Sequence, residues 1–202
     1  MTRIKAGDIF INYSDSGKGD AFLFIPGLTG ILDAWDFQIH HFSKQYRCIS
    51  FDHRGTGESD KPLNAYSTDL IAKDAIALMD TLDIDKAFVA GTSTGGCVLQ
   101  NLALDYPDRI KACIFSNTWT KADEYMTRVQ TSRKHIAQSY GREEYIKFSS
   151  LWTAGWTQFK KGGKVKCVEN RMVIFDSNLE HTGFSCTDQK RKVVVNFNYE
   201  SY

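Results

Sequence analysis

Apolar residues along this chain come in short continuous runs separated by segments with helical spacing. Ala21-Phe22-Leu23-Phe24-Ile25 is apolar at every position, as a strand covered on both faces requires. Tyr46 to Phe51, Ala87 to Ala90 and Ile110 to Ser116 read as further strands, of which Ala87 to Ala90 is apolar throughout, and a shorter strand, Ile9 to Tyr13, follows a Gly7-Asp8 turn. Between them, Ala34 to Phe42 has helical character. Ser67 offers an N-cap to a helix whose Ile71, Ala75, Leu78, Met79 and Leu82 share one face. Gly95 to Tyr106 reads as another helix, closed by Pro107. Strands alternating with helices predict an α/β fold, with a mostly parallel sheet and flanking crossover helices. After about Asn117 the pattern changes. Residues 121–160 read as helical, with Trp152, Trp156 and Phe159 supplying bulk, and Lys160 to Lys164 make a basic, glycine-containing break. The remainder has weaker periodicity. The expected division is an α/β core over residues 1–120 and a helical segment with a C-terminal part over 121–202, within one domain.

Composition narrows the partners. Of 202 residues, 42% are apolar and 13% aromatic, enough for a sizeable core, and the net charge is +1. Such a balance offers no electrostatic footprint for nucleic acid or an anionic membrane, and favours a small-molecule substrate. The opening Met-Thr-Arg-Ile-Lys-Ala-Gly has no apolar run after its charges, and no stretch is long and apolar enough to span a bilayer. Five cysteines, Cys48, Cys97, Cys113, Cys167 and Cys186, show no metal-knuckle or redox-pair spacing. The expectation is a cytoplasmic chain with reduced thiols and neither metal nor organic cofactor.

Candidate chemistry centres on Gly91-Thr92-Ser93-Thr94-Gly95-Gly96, which directly follows the Ala87–Ala90 strand and opens a helix. Gly-x-Ser-x-Gly alone is a weak signal; between a strand and a helix it describes a turn too tight for ordinary residues, with glycines that let the two elements approach. The turn lifts the Ser93 Oγ above the sheet edge, and the helix N-terminus favours negative charge developing there.

Two companion loops make the pattern specific. Phe24-Ile25-Pro26-Gly27-Leu28-Thr29-Gly30 ends the first buried strand, and Phe51-Asp52-His53-Arg54-Gly55-Thr56-Gly57-Glu58-Ser59 follows the second. By itself the first would be an ordinary Pro-Gly turn. With the serine turn, the three motifs in this order resemble the α/β-hydrolase superfamily over Ile9 to about Trp119. The resemblance implies that Ser93 is the nucleophile and that the backbone N–H groups of Leu28 and Thr94 form an oxyanion hole. It also implies that the Asp52–Ser59 loop is mainly structural, with Asp52 and Arg54 holding the turn and His53 packing rather than acting as the base. Ser116 to Arg133 is similar to the branch containing oxoadipate enol-lactonases and aminoacrylate hydrolases, where a helical cap begins after the fourth parallel strand.

The family's chain order is serine, then an acid, then histidine. His40, His41 and His53 precede Ser93, His135 lies in the helical pattern, and His181 has no buried strand before it. Asn117 occupies the position where some relatives place the acid, Asp123 lies past it, and neither Asp176 nor Asp188 follows a convincing strand. The sequence therefore reads as a hydrolase fold incomplete toward its C-terminus, a truncated enzyme weakly active or inactive as this chain, or alternatively as a ligand-binding or regulatory protein on the same fold. A sheet ending early would also expose an edge open to self-association.

Overall fold

The computed structural model describes residues 2–153. Six strands, β1 (Thr2–Ala6), β2 (Ile9–Ser16), β3 (Ala21–Ile25), β4 (Arg47–Phe51), β5 (Ala87–Thr92) and β6 (Ile110–Ser116), form one sheet in the order β1-β2-β4-β3-β5-β6. The four strands from β4 to β6 pair in parallel, and β1 and β2 add an antiparallel hairpin at one edge. The expected mixed, mostly parallel α/β sheet is present. β1 is an addition to it.

Alternation along β3 decides which helix covers which face. Leu23 and Ile25 join Ile11, Ile49 and Val89 in a core with α2 (Thr68–Thr81) and α3 (Thr94–Asp105). Phe22 and Phe24 join Trp35, Ile39 and Cys48 in a second cluster, which uses α1 (Asp36–Phe42). Because side chains alternate along a strand, a continuous apolar run such as β3 can bury both faces. The second cluster is aromatic: the rings of Phe22 and Phe24 stack 4.3 Å apart, with Phe42 at 5.4 Å from Phe22. Ser67 caps α2 by accepting from the Leu70 N–H at 3.0 Å.

The chain divides between Lys121 and Ala122. Beyond that boundary, α4 (Glu124–Thr153) is a helical stretch broken at Gly141, where φ is 81°. Asp123 caps it, its carboxylate accepting from the Met126 N–H at 2.7 Å.

Among the described residues β6 is an edge of the sheet, and its Ile114 and Phe115 are 49% and 45% exposed. Cys48, Cys97 and Cys113 are free thiols. No described helix is long and apolar enough to cross a membrane.

Candidate active site

β3 and β5 are parallel neighbours, with Ile25 beside Gly91, so the loops after them leave the same end of the sheet together. The chain passes from β3 to β4 on one side and later reaches β5 on the other, so this is a topological switch point, where open α/β sheets form their ligand crevices.

Ser93 lies at the turn from β5 into α3, with φ 52° and ψ −121°. A non-glycine residue held in such a region costs on the order of 1–3 kcal/mol and persists only where its surroundings fix it. Here they do. The Ser93 N–H donates to the Ser116 carbonyl at 3.1 Å, and its own carbonyl accepts from the Gly96 N–H at 3.0 Å and the Thr118 hydroxyl at 2.7 Å. Close packing explains the glycines. A Cβ on Gly95 would stand 2.2 Å from the Ile25 carbonyl oxygen, and one on Gly91 would stand 2.4 Å from that of Gly95.

The Pro26–Ile31 loop lies against this turn. A Cβ on Gly27 would be 3.3 Å from the Ser93 Cβ and 3.8 Å from its Oγ. Leu28, the next residue, is 47% exposed, and its N–H has no acceptor among the described residues. Thr94 opens α3, so its N–H has no partner within the helix. The structure thus sets the Gly27 backbone beside Ser93 and leaves both candidate amides free to donate.

The loop after β4 is a buried polar knot. The Asp52 carboxylate accepts from Asn12 Nδ2 at 2.8 Å, the Leu32 N–H at 2.8 Å and the Glu58 N–H at 2.9 Å. Arg54 makes a bidentate pair with Asp74, both bonds at 2.6 Å, and also reaches Asp8 at 2.9 Å. The Asp74 bonds raise the guanidinium pKa above its ordinary value, against the opposing effect of burial. His53 is 3% exposed, and its Nε2 is buried with no partner among the described residues. Burial lowers its pKa to about 4, outweighing the opposite pull of Asp52. An imidazole so weakly basic is poorly matched to proton abstraction near neutral pH, which agrees with a packing role.

No other described histidine supplies the base. His40, His41 and His135 are exposed, and among the described residues no imidazole nitrogen is within hydrogen-bonding distance of the Ser93 Oγ. Asn117 is exposed, with φ 47°, and Asp123 is engaged at the α4 N-terminus. His181, Asp176 and Asp188 lie outside the described residues. Among the described residues no group of three His, Cys, Asp or Glu could hold a metal ion.

Two contributors to the site escaped sequence reasoning. Thr118 braces the Ser93 carbonyl, and a Cβ on Gly96 would collide with it at 2.4 Å. Ser50 donates to the Leu32 carbonyl at 3.0 Å. The paired glycines hinted at the first, whereas Ser50 reads only as one residue of an apolar strand.

The family model described as alpha/beta hydrolase fold matches residues 20–159. The chain belongs to the α/β-hydrolase fold family. Within that family it is 31% identical over 152 residues to RutD of Azorhizobium caulinodans, a carbamate hydrolase by its name, covering 75% of this chain and 57% of that protein. It is 36% identical over 136 residues to 3-oxoadipate enol-lactonase 2 of Acinetobacter baylyi, covering 65% and 51%. Among solved structures, the enol-lactonase from Burkholderia xenovorans LB400 superposes with a TM-score of 0.71 at 25% identity, covering 78% of this chain and 62% of that one. This α/β-hydrolase chain spans about half the length of the curated relatives it matches.

Proposed function

We propose that Ser93 is the nucleophile of a hydrolase acting on a small ester, lactone or related carbonyl compound. The observation that carries this reading is the strained Ser93 turn with the Gly27 backbone against it. In the proposed reaction the Ser93 Oγ attacks the carbonyl carbon, while the Leu28 and Thr94 N–H groups receive the charge on its oxygen. The leaving group departs, and water cleaves the resulting acyl-serine. Neither metal nor organic cofactor takes part. Lactonases among the similar proteins support the substrate class.

The proton of Ser93 needs an acceptor, and none stands beside it among the described residues. We therefore expect this 202-residue chain to be a weak hydrolase. The same observation favours a second reading, a ligand-binding or regulatory protein without turnover. Incubation with an activated acetate ester separates them. Slow accumulation of an acetyl adduct on the Ser93 peptide, absent from Ser93→Ala, supports the hydrolase. Modification elsewhere only, or lactone binding by calorimetry with no Ser93 adduct, overturns it.

The exposed Ile114 and Phe115 on β6 support one further element of this reading, self-association through that edge. Sedimentation velocity should show concentration-dependent dimers or larger species, reduced by Phe115→Lys. A strictly monomeric chain would contradict it.

A further inference from the structure

We propose that Ser50 and Asp52 are positioning residues that hold the Pro26–Ile31 loop, and with it the Leu28 N–H, in place beside Ser93. This rests on the reading of Leu28 as an oxyanion donor, and it adds what keeps that donor aimed.

At one end the loop leaves Ile25, which is fixed by pairing with Gly91. At the other it ends on Leu32, whose two backbone polar groups are both taken by the C-terminal end of β4. The Leu32 N–H donates to Asp52 Oδ1 at 2.8 Å, and the Leu32 carbonyl accepts from the Ser50 hydroxyl at 3.0 Å. Ser50 is fully buried and Asp52 is 2% exposed, so water cannot readily replace either bond.

Among the described residues, the middle of the loop has only local hydrogen bonds. The Gly30 N–H donates to the Gly27 carbonyl at 3.0 Å, and the Thr29 hydroxyl to the Leu28 carbonyl at 2.6 Å. Leu28 and Ile31 are 47% and 41% exposed. Pro26 is buried, so apolar packing holds the start of the loop but does little for Leu28 to Ile31, whose placement depends on the loop's two ends.

Asp52 is itself held from two further sides. Asn12 reaches it from β2, and the Glu58 N–H from the following loop. That loop can wrap the carboxylate because residue 57 is glycine: its φ is 48°, and a Cβ there would stand 2.0 Å from Asp52 Oδ2. The buried polar knot and the oxyanion loop are thus one connected device. An oxyanion donor removed from position costs about 10²–10³ in rate, so the clamp's effect on chemistry far exceeds the strength of its individual bonds.

Ser50→Ala isolates the clamp, since it removes one hydroxyl and leaves the Asp52 carboxylate intact. Ser67→Ala is the control, because it removes the α2 cap and lowers global stability through a different element. Amide hydrogen exchange at Gly30 and Leu32 is measured in the full chain. Ser50→Ala should accelerate both on the order of ten-fold, as expected for opening a site that has lost one buried hydrogen bond. Ser67→Ala should leave both at the parent rate while lowering the melting temperature. Unchanged exchange in Ser50→Ala, or equal acceleration in the two variants, overturns the clamp. Fluorophosphonate labelling of Ser93 distinguishes the underlying reading. Slower labelling in Ser50→Ala than in Ser67→Ala supports the link to the oxyanion hole. Accelerated exchange with labelling equal to the parent's overturns the Leu28 assignment while leaving the loop clamp supported.

Discussion

His53 makes the stability of this chain depend on pH in a calculable way. Its pKa in the folded protein is lowered to about 4 from an ordinary 6.5, because the ring is buried. Between those two values the unfolded chain binds a proton that the folded chain refuses, so stability falls as pH falls. From the two pKa values, the loss is about 2 kcal/mol at pH 5 and reaches about 3 kcal/mol below pH 4, where it levels off. Above pH 7 the effect vanishes. His53→Phe removes the titration, preserves a ring against Phe51 and replaces an Nε2 that has no partner among the described residues. Urea unfolding of both proteins at pH 8, 7, 6 and 5 cancels the carboxylates they share. The variant should lie near the parent at pH 8 and gain about 2 kcal/mol on it at pH 5. Parallel stability curves for the two proteins would refute the buried, neutral His53, and would reopen it as a proton acceptor.

Two other substitutions examine the frame around Ser93. Gly95→Ala drives a methyl group to 2.2 Å from the Ile25 carbonyl oxygen and 2.5 Å from that of Pro26; urea unfolding should show a loss of about 1–3 kcal/mol or more. Arg54→Met leaves Asp74 buried without its partner, the two side chains being 1% and 4% exposed. It should cost about 3–5 kcal/mol, most of it recovered when Asp74→Leu is added. A single Arg54→Met variant as stable as the parent would show that the pair is solvated.

Most of the frame was legible because its signals are local. The continuous apolar run of β3 and the helical spacing from Ile71 to Leu82 announce their own geometry. Ser93 was legible for the same reason: a strand, a tight Gly-rich turn and a helix lie consecutively in the chain. β1 was not, since Thr2–Ala6 is mostly exposed and depends on pairing with Ile9–Tyr13 across the Gly7-Asp8 turn. The helix expected to start at Ala34 instead opens with a 3-10 turn at Leu32–Trp35 before α1. The clamp on Leu32 could not be read in advance, because Ser50 and Asp52 reach a residue 18–20 positions earlier. Only the parallel pairing of β3 with β4 creates that proximity. Thr118 likewise meets Ser93 only through the β5–β6 pairing.

Ser93 is proposed as a nucleophile poised by its turn, with no base beside it among the described residues. The rate of fluorophosphonate labelling of the purified chain, with the modified residue located by mass spectrometry, tests it most directly. Removing the histidine of a serine protease triad costs about 10⁶-fold in kcat, so Ser93 should label slowly but measurably over long incubation. Any label should be lost in Ser93→Ala. Fast labelling, abolished both by Ser93→Ala and by substitution of a histidine, with His181 and His53 examined first, would contradict it.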